Sequence, residues 1–95
     1  MKLIKSDTTI KQNPELITSE VDGERVMMDM KTGEYFGLDS IGTRIWDLIE
    51  SPTKIAEIIE ILTNEFDVSK EQCELDTIDF IRELVDKNLV FIVSE

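Results

Sequence analysis

The sequence predicts an α+β fold, a three-stranded antiparallel sheet followed by three helices, on three observations. Apolar residues alternate with period two up to about residue 38 and follow helical periods afterwards. Two turn signals, Asp22-Gly23 and Lys31-Thr32-Gly33, divide the first part into strands. Residues suited to cap helices open each of the three later segments.

Taken in order, residues 1–7 read as a loosely ordered arm and 8–95 as a single domain, the low end of the usual domain size. A strand is expected from Thr8 to Gln12, ended by Asn13-Pro14. Leu16 to Val21 and Arg25 to Met30 form a hairpin about Asp22-Gly23, with Val26, Met28 and Met30 on one face. Gly33 supplies a positive φ before the last strand, Glu34 to Leu38, in which Phe36 and Leu38 oppose Tyr35 and Gly37. Asp39 or Ser40 caps a helix carrying Ile41, Ile45, Trp46, Leu48 and Ile49. Ser51-Pro52 fits the start of a second helix, with a stripe of Ile55, Ile58, Ile59, Leu62 and Phe66. Ser69 and Gln72 make a capping box for a third helix reaching Lys87, with Asn88 as its left-handed stop. Leu89 to Val93 is an apolar tail, either a strand or an extended segment on the core.

The third helix is the unusual one. At about 100° per residue, Cys73, Leu75, Ile78, Phe80, Ile81, Leu84 and Val85 cover an arc of roughly 220°, whereas packing on one core needs a stripe only somewhat wider than about 100°. Ile81, Leu84 and Val85 at its centre face the core. The flank with Leu75 and Ile78, beside Asp79 and Arg82, is free for another task.

Composition excludes several functions. With 21 acidic and 10 basic residues the net charge is −11, a field that repels phosphate backbones and anionic lipid surfaces. No apolar run approaches the ~20 residues of a membrane span. The first ten residues lack the apolar stretch of a signal peptide. Cys73 is the sole cysteine, which suits a reducing compartment, so the expected location is the cytoplasm.

The chain has no histidine, which removes Ser-His and Cys-His nucleophiles and the usual zinc sets. Glu71 and Glu74 crowd Cys73 with negative charge, and a packing role is expected for it. Asp76, Asp79, Glu83 and Asp86 share one side of the third helix, as on a solvated face, and provide no cleft to shift a pKa. Calcium-loop, dinucleotide and P-loop motifs are missing. The expectation is a protein without catalysis, cofactor or metal.

Three helices after a sheet meander make a winged-helix-like architecture, whose habitual partner is DNA. The acidic third helix argues against that partner. The strand Glu34 to Leu38 has one side available as an open sheet edge, which an extended peptide can join as a further strand. Alternatively, the arm or the apolar tail covers that edge.

The stretch "GERVMMDMKTGEYFGLDSIGTRIWD" from Gly23 to Asp47 resembles the PqqD-type leader-recognition domain, as does "FDVSKEQCELDTIDFIRELVDKNLV" further on. The resemblance spans roughly Leu16 to Val93 and is closest to the stand-alone leader-binding protein of lasso-peptide clusters. Asn88 stands where that family often has glycine, and both accept the left-handed conformation.

The resemblance implies a RiPP recognition element: a non-catalytic adaptor that binds the leader of a ribosomally made precursor. It would present that leader to a leader peptidase and a macrolactam synthetase. Carried over by position, Glu34, Tyr35, Phe36, Gly37 and Leu38 form the pairing strand, and Leu75, Ile78, Asp79 and Arg82 line the helical wall. Two alternatives are a PqqD-like peptide chaperone for a radical-SAM or other modifying enzyme, and a structural subunit whose open edge closes by dimerisation.

Overall fold

In the computed structural model, which describes residues 4–94, the chain runs β1 (Thr9–Gln12), β2 (Ile17–Val21), β3 (Glu24–Met28), β4 (Tyr35–Gly37) and α1 (Ser40–Leu48). It continues through β5 (Thr53–Lys54), α2 (Ile55–Glu65), α3 (Lys70–Asp86) and β6 (Val90–Ser94). The meander expected from sequence is present as an antiparallel sheet in the order β2-β3-β4. A second antiparallel sheet, ordered β5-β1-β6, joins the chain's early, middle and late segments.

Local chemistry accounts for the meander. Asp22 and Gly23 have φ of 53° and 84°, the pair of positive values that a two-residue hairpin matching strand twist needs. At the next turn the Asp29 carboxylate accepts the Lys31 N–H at 2.9 Å and Gly33 takes φ 76°. β4 then gives way to α1 because Asp39 caps that helix, its Oδ1 accepting the Gly42 N–H at 2.8 Å. The buried Thr43 hydroxyl accepts the Arg25 N–H at 2.8 Å and donates to the Leu38 carbonyl at 3.4 Å, so α1 ties together the ends of β3 and β4.

The second helix starts later than Ser51-Pro52 suggests. Thr53 Oγ1 donates to the carbonyls of Leu48 or Ser51, at 3.0 and 2.8 Å, which closes a turn and leaves Thr53–Lys54 to pair with Thr9 and Ile10. The N–H groups of Ile55 and Ala56 find the Thr8 and Ser6 carbonyls, so neighbouring backbone replaces a side-chain cap at α2. Met1 to Leu3 of the expected arm lie outside the described residues. From Ile4 the chain is held: that side chain is buried, and Thr8 Oγ1 accepts the Lys5 N–H. The apolar tail forms β6 against β1.

The core lies between the helices and the two sheets, built from Ile10, Met27, Ile45, Trp46, Ile49, Ile55, Ile58, Ile81, Leu84 and Leu89. Each large side chain so buried contributes ~1.5–3 kcal/mol. α3 is capped by Ser69, whose Oγ accepts the Gln72 N–H, and stops at Asn88 with φ 62°. It packs on α2 and β6 through its buried face of Cys73, Thr77, Ile81 and Leu84. A bidentate pair, Arg44 to Glu65 at 2.9 and 2.6 Å, clamps α1 to the end of α2. That hydrogen bond holds the Glu65 carboxyl below its ordinary value and raises the Arg44 guanidinium.

Candidate functional site

β4 is an edge strand whose outer ladder is open. Its partner β3 takes the even-numbered groups: Asp29 N–H donates to the Glu34 carbonyl, Leu38 N–H donates to the Arg25 carbonyl, and Phe36 stands opposite Met27. Antiparallel ladders alternate, so the N–H and C=O of Tyr35 and Gly37 point away from the sheet. Among the described residues, neither the chain from Ile4 nor the tail covers them: Ser6 and Thr8 accept the Ala56 and Ile55 N–H groups, and the tail is β6 of the other sheet. β2 is also an edge, but among the described residues its side chains line none of the five main hollows.

Beside β4 the sheet and α3 leave two hollows. One of about 340 Å³ runs under Tyr35, Phe36, Gly37 and Leu38, with Phe80, Glu83, Leu84 and Lys87 as its helical wall. The other, about 310 Å³, continues past Gly37 and Leu38 to Asp39, Ile41 and Ile45, facing Asp76, Thr77 and Phe80. A small apolar recess of about 90 Å³ among Ile41, Leu62, Phe66, Val68 and Cys73 extends this line. A larger hollow, about 460 Å³, lies at Ser6, Glu60, Lys70 and Glu74, away from any residue of β4.

The side chains divide by face. Tyr35 is 72% exposed, Gly37 is exposed, Phe36 is half-buried against the core and Leu38 is buried. Phe36 lies beneath the Lys87 ammonium, 5.5 Å from the ring centroid. Gly42 sits in a close approach. A Cβ there would meet Phe80 Cζ at 3.0 Å and Leu38 Cβ at 3.3 Å, so the missing side chain lets Phe80 seat against α1 and form the floor between the two hollows.

Of the sequence-predicted residues, the structure brings Tyr35, Phe36, Gly37 and Leu38 to the hollows, with Glu34 exposed at their start. Leu75 is 63% exposed, Ile78 is half-buried against the core, and Arg82 reaches Asp79 at 3.2 Å in a surface ion pair. These four α3 residues line neither hollow; the wall facing β4 is the opposite flank, Asp76, Phe80, Glu83 and Lys87. The wide apolar arc contained this signal, since Phe80 and Leu75 are its two limits, roughly 220° apart along it. Cys73 is buried, its Sγ 3.8 Å from Thr77 Oγ1. Among the described residues, no three His, Cys, Asp or Glu side chains are gathered to hold a metal.

A family model for coenzyme PQQ synthesis protein D (PqqD) matches residues 24–90, well over half of the chain. The chain belongs to the PqqD family. A solved structure described as TbiB1 in complex with the TbiA(beta) leader peptide is 36% identical to it, with TM-score 0.78, covering 84% of this chain and 93% of TbiB1. A second, lasso peptide synthetase B1 complexed with the leader peptide, has the same TM-score at 22% identity, covers 86% and 96% of the two chains, and bears on the fold. Comparison with curated protein sequences gives no match. The α+β, winged-helix-like architecture is thus that of PqqD-type recognition domains; beyond the meander expected from sequence it holds the small sheet of β1, β5 and β6.

Proposed function

We propose that this PqqD-family chain is a non-catalytic adaptor that takes the leader of a ribosomally made precursor peptide as an added strand on β4. The observation that carries this reading is the outward ladder of Tyr35 and Gly37 beside the Phe80-floored hollows. Main-chain bonds from the ladder supply affinity, and alternate side chains of the incoming strand enter the hollows and supply specificity. The TbiB1 structure, solved with the TbiA(beta) leader peptide, supports the reading at 36% identity.

The adaptor presents the bound leader to a leader peptidase and a macrolactam synthetase of lasso-peptide biosynthesis. It needs no catalytic group of its own, in keeping with a sequence that has no histidine. No described helix is long and apolar enough to cross a membrane, and a cytoplasmic site of action suits the unpaired Cys73.

Titrating the labelled leader of the precursor encoded beside the gene into the chain tests this directly. Dissociation constants at or below the micromolar range are expected, with binding lost when a proline replaces a pairing residue of the leader. A leader that fails to bind at 100 µM sinks the proposal. The family description favours a second client, the enzyme set of coenzyme synthesis. Co-purification with the neighbouring enzymes separates the two.

A further inference from the structure

The two ends of the β4 groove carry different charge, and this rests on the reading of β4 as the peptide-pairing edge. At the Tyr35 end Glu83 and Lys87 offset each other, 3.9 Å apart, with Lys87 also over Phe36. At the Gly37 end Asp39 and Asp76 line one hollow whose other walls include Leu38, Ile41, Ile45 and Phe80. Their recorded partners are neutral: Asp39 Oδ1 accepts the Gly42 N–H, and Asp76 Oδ1 accepts the Gln72 amide at 2.9 Å. Among the described residues, no lysine or arginine nitrogen lies within 4 Å of either carboxylate.

We infer that the groove selects a peptide with a lysine or arginine where it passes Asp39 and Asp76. A strand laid on β4 displaces water from this end. Apolar walls concentrate the field of the two carboxylates there. A neutral or acidic side chain leaves them facing a drier surface without compensation, whereas a basic one lays its aliphatic stem along Ile41 and Phe80 and brings its head to the carboxylates. The overall charge of −11 acts in the same direction at longer range and is screened by salt.

The probe is a phage-displayed library of random 12-residue peptides, panned on the full chain, with selected peptides remeasured by fluorescence anisotropy. Peptides that lose binding to the Gly37→Pro variant are taken as users of β4. Among them lysine or arginine is enriched at one position, and changing that residue to glutamine weakens binding roughly three- to tenfold in low salt. The same change costs less than twofold against the Asp39→Asn/Asp76→Asn protein. Asparagine keeps both the helix cap and an acceptor for Gln72, so that variant folds. Users of β4 without basic enrichment, or an equal loss against both proteins, overturn the inference. If no selected peptide responds to Gly37→Pro, the β4 reading falls and takes the inference with it.

Discussion

Replacing Gly37 with proline separates the open ladder from the fold that carries it. The bonds that hold β4 in its sheet come from Glu34, Phe36 and Leu38, so the Gly37 N–H that proline removes points to the vacant edge. Edge strands tolerate proline on this side, and stability is expected to stay within about 1 kcal/mol of the wild type. Binding is another matter. The lost donor and the ring standing in its place remove one or two ladder bonds to an incoming strand, each worth a net ~0.5–1.5 kcal/mol.

The sum, ~0.5–3 kcal/mol, corresponds to a roughly two- to 150-fold rise in Kd. Gly37→Ala is the control: its methyl meets no atom within 4 Å and its N–H is retained, so its Kd stays within about twofold. Anisotropy titrations of the labelled leader give the affinities, and thermal melts confirm that both variants fold. A folded proline variant that binds like wild type refutes the assignment of β4 as the pairing edge.

Truncating the helical wall, Phe80→Ala, is expected to weaken leader binding about tenfold, whereas Leu75→Glu at an exposed position changes it less than twofold; the reverse order in the same titration would place the wall on the Leu75 flank. Trp46→Ala removes a side chain only 1% exposed and should cost ~3–5 kcal/mol, enough to populate the unfolded state of so small a domain in a urea titration. Gly42→Val forces a branched side chain against Phe80 and Leu38, and a melting temperature lowered by a ~1–3 kcal/mol overpacking cost is expected.

Glu65, held below its ordinary value of 4.5 by the hydrogen bond from Arg44, contributes stability that is present above that value and is lost as pH falls through its lowered one. Glu65→Gln should therefore lie below wild type at pH 7 in denaturant titrations and converge with it in acid. A gap that widens in acid would have the wrong sign.

Much of the fold was legible because it is local. Asp22-Gly23 and Gly33 impose backbone angles that leave little choice but a meander, and Asp39, Ser69 and Asn88 mark helix ends by bonds or conformations within a few residues of themselves. The strand β4, proposed above as the pairing edge, was legible as a strand for the same reason: two turns and a cap bracket Tyr35–Gly37 whatever the rest of the chain does. Its open side was not, since the segments that might have covered it had first to find one another as β5, β1 and β6, from residues 9–12, 53–54 and 90–94. That long-range pairing also claimed Thr53–Lys54 and displaced the start of α2 from Ser51-Pro52.

The sequence by itself determined the turns, the caps of α1 and α3, the alternation along β4 and the absence of histidine chemistry. Tertiary structure alone decided which flank of α3 faces that strand. Periodicity places Phe80 and Leu75 at opposite limits of one apolar arc, but it says nothing about how the helix is rolled on its neighbours. The roll follows from Cys73, Thr77, Ile81 and Leu84 sinking into the core with α2 and β6, which turns Phe80 toward β4 and leaves Leu75 in water. Side chains from α2, α3 and β6 settle that angle together, and no single stretch of sequence contains it.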